Sequence, residues 1–155
     1  MTLQFHAYDQ NFVDAVRAGG ADANGQVAEH AISDGAGNPC RSCLRNIPEG
    51  ADMLILAARP FPTLQPYAET GPIFLCTKDC APWKDAGVPP ILTTSPDYLL
   101  KGYSPDHRIV YGTGAIVDRD QLVNTATEVL NDPRVAYVDV RSARNNCFQT
   151  RITLG

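Results

Sequence analysis

No stretch of this 155-residue chain approaches the roughly 18 to 20 uninterrupted apolar residues that a membrane helix needs. Basic charge is scarce too: 13 Lys and Arg stand against 17 Asp and Glu, for a net charge of -4. A chain built to neutralise phosphates concentrates cations, so neither a membrane nor nucleic acid is an expected partner. Nucleotide motifs are missing. Gly112-Thr113-Gly114 lacks the downstream Gly, Lys and Ser/Thr positions of a Walker loop or a dinucleotide fingerprint, and no nucleotide cofactor is expected. His6, His30 and His107 lie far apart, which leaves no His-x-x-x-His or His-Glu metal pattern. There is no internal repeat, and helices do not alternate with strands as a doubly wound sheet requires. The opening Met1-Thr2-Leu3-Gln4-Phe5-His6 lacks the basic and apolar regions of a signal peptide, so the expected address is the cytoplasm.

The length and 44% apolar content suit one compact domain over residues 1–155. Leu3 to Tyr8 alternates as a strand does. Asp9 can then cap a short helix presenting Phe12, Val13 and Val16, which Gly19-Gly20 ends. Residues 18–39 are rich in Gly, Ala, Asp and Asn and read as a long connection with one modest strand at Gln26 to Ile32. Asp52 to Ala58 is apolar on both parities, as a central strand would be, and Gly71 to Cys76 supplies another short run. Pro82, Pro89, Pro90 and Pro96 forbid long regular structure between Cys80 and Asp97. Tyr98 to Tyr103 and Arg108 to Val117 read as a hairpin about Ser104-Pro105-Asp106. Asp118 with Gln121 fits a capping box, opening a helix on Leu122, Ala126, Val129 and Leu130 that Asn131-Asp132-Pro133 ends. Val135 to Val140 and Phe148 to Leu154 read as strands around a polar bend, Arg141 to Asn146. The expected class is α+β: a mostly antiparallel sheet with about two helices packed on one face.

Cys40 and Cys43 form a C-x-x-C pair, and Cys76 and Cys80 a C-x-x-x-C pair. Four thiolates suit tetrahedral zinc, and two short-spaced pairs let each local turn supply two ligands. Leu44 and Ala81, not the customary Gly, follow the pairs. Two other readings stay open: buried thiols that pack as small apolar groups, and a redox dithiol at Cys40 and Cys43 activated by Arg41. The unpaired Cys147 is expected to be an inert core thiol. Arg41, Arg141, Arg144, Asn145 and Asn146 could hold a small anion, since guanidinium grips carboxylate or phosphate bidentately and carboxamides orient a polar ligand. The competing reading of the bend is a solvated turn with left-handed Asn. Glu69, between Tyr67 and Gly71, is the best acid/base candidate.

The segments Pro39-Cys40-Arg41-Ser42-Cys43-Leu44, Pro66-Tyr67-Ala68-Glu69-Thr70-Gly71-Pro72-Ile73-Phe74, and Asp132-Pro133-Arg134-Val135-Ala136-Tyr137 with Cys147-Phe148 mark a resemblance. The chain resembles the uncharacterised bacterial proteins grouped as domain of unknown function 1203, over essentially its whole length. The resemblance implies a stand-alone bacterial domain, and it supplies no activity or catalytic residues to carry over. Relatives in that group can carry His in place of Cys76, which keeps a zinc ligand, and Ser in place of Cys43, which weakens a four-cysteine site. Three functions are weighed. The first is a module that binds a small ligand or a partner, with a structural zinc at Cys40, Cys43, Cys76 and Cys80 and ligand contacts from Arg41, Glu69, Arg141, Arg144, Asn145 and Asn146. The second is a thiol- or metal-dependent enzyme acting on a small anionic substrate. The third is a homo-oligomer formed through an exposed edge strand.

Overall fold

A computed structural model describes residues 2–78 and 80–155; Met1, part of the opening weighed for a signal peptide, lies outside the described residues. The elements are β1 (Leu3–His6), α1 (Gln10–Arg17), β2 (Glu29–Ile32), β3 (Asp52–Ala58), β4 (Gly71–Cys76), β5 (Asp97–Tyr103), β6 (Ala115–Asp118), α2 (Leu122–Leu130), β7 (Tyr137–Ser142) and β8 (Phe148–Leu154), with 3-10 turns at Pro90–Leu92 and Arg119–Gln121. The class is α+β, with every pairing between these strands antiparallel. The strands form two sheets where the sequence reading expected one: β1-β8-β7-β5-β6 and β2-β3-β4. Among the described residues no helix is long and apolar enough to cross a membrane.

Local chemistry explains most boundaries. The Asp9 side chain accepts from the Asn11 N–H at 3.0 Å and caps α1, which buries Val13 and Val16 against the smaller sheet. β3 is that sheet's central strand, with Met53, Leu54, Leu56 and Ala58 buried. The capping box at Asp118 does not form. Asp118 ends β6, a 3-10 turn follows, and no side chain caps α2; pairing of Asp118 with Asp97 draws the residue into the sheet instead. The hairpin partner of β5 is likewise only Ala115–Asp118, because turns occupy the preceding residues. Arg141 belongs to β7 and not to the bend after it.

Alternation divides the five-stranded sheet into two unlike faces. Phe5, Tyr98, Leu100, Val138, Val140 and Ile152 bury one face against Leu122, Ala126 and Leu130 of α2, with Ile91, Leu92 and Leu44. Along the other face His6, Arg151, Asp139 and Lys101 stand in register, one per strand. Segment 59–69 covers this polar row: Arg151 donates to the Pro60 carbonyl at 2.6 Å, and the Phe61 ring lies 5.3 Å from that of Tyr103. Arg151 grips the fully buried Asp139 through two hydrogen bonds of 2.7 and 3.0 Å and lies 3.8 Å from the Tyr137 ring centroid. Burial pushes the Asp139 carboxyl above its ordinary range, and Arg151 opposes that shift.

Cutting such a pair strands a charge away from water. Asp139→Ala should lower the unfolding free energy in urea by about 3–5 kcal/mol. Asp85→Ala, which removes an exposed partner 3.5 Å from Arg45, should change it by only about 0–1 kcal/mol.

Candidate metal centre

The turn Cys40 to Leu44 closes on itself: the Leu44 N–H donates to the Cys40 carbonyl at 2.9 Å, and the Cys40 N–H to that of Arg45 at 3.0 Å. Closure puts Leu44 at φ 55, in the left-handed region where glycine is the ordinary residue. A fully buried side chain packed into the core beside α2 keeps leucine there. This accounts for the missing Gly after Cys43: the knuckle conformation is present, carried by a residue that sequence rules do not associate with it.

Backbone bonds set this turn beside the second pair. The Arg41 N–H donates to the Phe74 carbonyl at 3.1 Å, which aligns the turn with β4, and β4 ends at Cys76. The Cys76 N–H reaches the Cys40 Sγ at 3.3 Å. Cys40, Cys43, Cys76 and Cys80 bring their sulfurs within 4.8 Å of one another, and no two are joined as a disulfide. The Cys40 and Cys80 sulfurs are 3.8 Å apart. Bonds of about 2.3 Å to a tetrahedral zinc place its sulfur ligands roughly 3.8 Å apart, so the spacing suits that ion.

Arg17, at the end of α1, was not legible as part of this site. Its guanidinium donates to the Cys80 Sγ at 3.1 Å and to the Cys76 carbonyl at 3.1 Å. A basic residue in a last helical turn is common, and no local signal ties it to cysteines some 60 residues away. The thiols compete for protons. Hydrogen bonds from its sulfur neighbours and from Arg17 push Cys80 well down, and those from Cys43 and Cys76 bring Cys40 to about 6. The same contacts push Cys43 and Cys76 well up. A cluster that concentrates thiolate charge in this way attracts a soft cation.

The sequence-derived ligand residues divide among three places. Arg41 is buried, donating to the Phe148 carbonyl at 2.8 Å and to the Pro39 carbonyl at 2.6 Å; burial brings it down to about 10. With Asn145 it lines a cleft of about 510 Å³, to which Asn46, Ser142, Cys147 and Gln149 also contribute. Glu69, Arg141 and Asn146 form a separate cluster: Glu69 accepts from Lys101 at 3.3 Å and Asn146 at 3.4 Å and lies 3.5 Å from Arg141. The Nε and one terminal nitrogen of Arg141, like the Tyr103 hydroxyl, are buried without a hydrogen-bond partner among the described residues. Arg144 pairs with Asp97 at 2.9 Å on the surface. Asn146 takes φ 58, the left-handed geometry of a tight turn. Cys147 is not the core thiol expected. The turn into β8 leaves it half-buried at the cleft.

The model of a family described as protein of unknown function (DUF1203) matches residues 37–153, a span that holds both cysteine pairs and the bend before β8. No curated protein and no solved structure matches the chain.

The strained leucine supplies a test. At equal metal content, Leu44→Ala and Leu44→Gly should each cost about 2–5 kcal/mol in lost packing. Relief of the left-handed strain should make the glycine variant at least as stable as the alanine variant in urea, against the usual order, in which Gly costs roughly 0.5–1 kcal/mol more than Ala.

Proposed function

Because the chain belongs to the family of domain of unknown function 1203, whose description assigns no activity, we propose from its geometry that it is a small-ligand-binding module knit together by a structural zinc. The observation that carries this reading is the gathering of four cysteine sulfurs within 4.8 Å. Cys40, Cys43, Cys76 and Cys80 would hold the ion. Bound there, zinc supplies electrostatic cross-linking, tying the turn that bears Arg41 to the end of β4. Four protein sulfurs saturate a tetrahedral ion, leaving no position for water or substrate, which is the pattern of structural and not catalytic sites. Arg17 partly neutralises the anionic cluster through its bond to Cys80.

One observation favours an enzyme instead: a cleft of about 390 Å³, lined by Cys76, Cys80, Lys78 and Asp52, adjoins the sulfurs. Glu69 does not support that reading, because both its oxygens are engaged by Lys101, Arg141 and Asn146.

Protein purified without a metal-affinity tag should contain about one zinc per chain by plasma mass spectrometry. Under native conditions Cys147 alone should react with a thiol reagent, and all five cysteines should react in denaturant. Acidification should release the metal, since protons compete for the thiolates, and Cys43→Ser should lower its occupancy. Absence of metal together with five freely reactive thiols overturns the proposal.

A further inference from the structure

The cleft beside the knuckle is lined by a cation without a carboxylate partner among the described residues. Arg41 is 3% exposed, and both carbonyls it contacts, of Pro39 and Phe148, are neutral. Among the described residues the ionisable groups facing it are the thiols of Cys147 and Cys40, not a carboxylate. A buried guanidinium without a carboxylate is expensive to maintain for packing alone, because the neighbouring thiols and two neutral carbonyls offset only part of its desolvation. One polar atom of the cleft lining is unsatisfied: the Asn46 Oδ1 is buried and has no hydrogen-bond donor among the described residues. Asn145 adds an exposed carboxamide at the rim, while Phe74 and Ile91 supply apolar wall. The volume, about 510 Å³, is in the range of small-metabolite sites.

We propose that this cleft binds a small carboxylate bearing an adjacent hydrogen-bond donor, a hydroxy acid or an amino acid, with Arg41 pairing the carboxylate and Asn46 accepting from the hydroxyl or ammonium. The pairing gives Arg41 a carboxylate and the Asn46 Oδ1 a donor. Guanidinium meets carboxylate in a planar fork, and a neighbouring donor meets the buried Asn46 acceptor. This inference rests on the reading of the chain as a ligand-binding module whose zinc holds the turn carrying Arg41. It extends that reading by naming the cleft and the class of occupant.

Cys147 is a built-in reporter, since its thiol lies in the cleft and outside the four-sulfur cluster. The experiment follows alkylation of Cys147 by iodoacetamide, by mass spectrometry, on zinc-loaded protein in the presence of L-lactate, L-alanine, propionate or inorganic phosphate. Lactate or alanine at about ten times its dissociation constant should slow the reaction roughly tenfold. Propionate, of like size but without the donor, should protect less at the same concentration. Asn46→Ala should abolish the difference between propionate and the donor-bearing acids. Thr94→Glu, which adds a carboxylate at an exposed position of the lining, should abolish protection while leaving fold and zinc content unchanged.

Calorimetric titration of the same acids into Cys147→Ser protein supplies a readout independent of the thiol. Failure of both lactate and alanine to protect or to bind, in protein verified to contain zinc, overturns the inference and leaves the structural-zinc reading standing. Protection by phosphate alone, or equal protection by propionate, also overturns it. Protein that contains no zinc instead fails the proposed function itself.

Discussion

The turn from Cys40 to Leu44 is the constraint on which the remainder of the structure depends. Its backbone groups are shared out among otherwise separate parts of the chain. Tyr8 donates to the Arg41 carbonyl, Trp83 to that of Ser42 and Ile91 to that of Leu44, while the Arg41 N–H bonds to Phe74 in β4. The Arg41 side chain reaches Phe148 at the start of β8. One short turn thus ties the N-terminal segment, both sheets and the proline-rich 81–92 segment together. That last segment can form no ladder of its own because its prolines lack donors, so its anchoring falls to contacts of this kind. A metal held at Cys40 and Cys43 would act on a turn that bonds to all these parts.

The five-stranded sheet sets the remaining chemistry. Its α2 face is an ordinary apolar core, but its other face buries Asp139 and Arg141, and half-buries Arg151, beneath an irregular segment. There Glu69 lies beside Arg141, Lys101 and Asn146, so Arg141 has a carboxylate for a neighbour. Arg41 has no such partner and opens on a cleft. The two buried arginines thus differ in surroundings: Arg141 lies 3.5 Å from a carboxylate, and Arg41 meets neutral carbonyls and thiols.

Much of the fold could be read along the chain. Strand positions at Leu3, Asp52, Gly71 and Phe148 followed from apolar alternation or continuous apolar runs and from Gly and Pro punctuation, and the cap at Asp9 from the chemistry of an N-cap. The capping box at Asp118 misled because its residues satisfied a local rule that strand pairing overrode. The division into two sheets was not legible, since alternation shows that a strand has two faces and not which strand lies beside it. The four cysteines were visible as two pairs, but Arg17, Asn46 and the left-handed Leu44 carried no local mark.

By itself the sequence determined the α+β class, the number and kind of the local elements, and which residue types were available for metal and anion chemistry. All of these depend on interactions between near neighbours or on composition. Only the tertiary structure decided that the four sulfurs meet, that Arg41 is buried beside a cleft while Arg141 is paired with Glu69, and that Cys147 faces that cleft. Those outcomes require contacts between residues far apart in the chain. Spacing leaves such contacts undetermined, because closing a long loop costs little more than closing a shorter one, and packing selects among the closures.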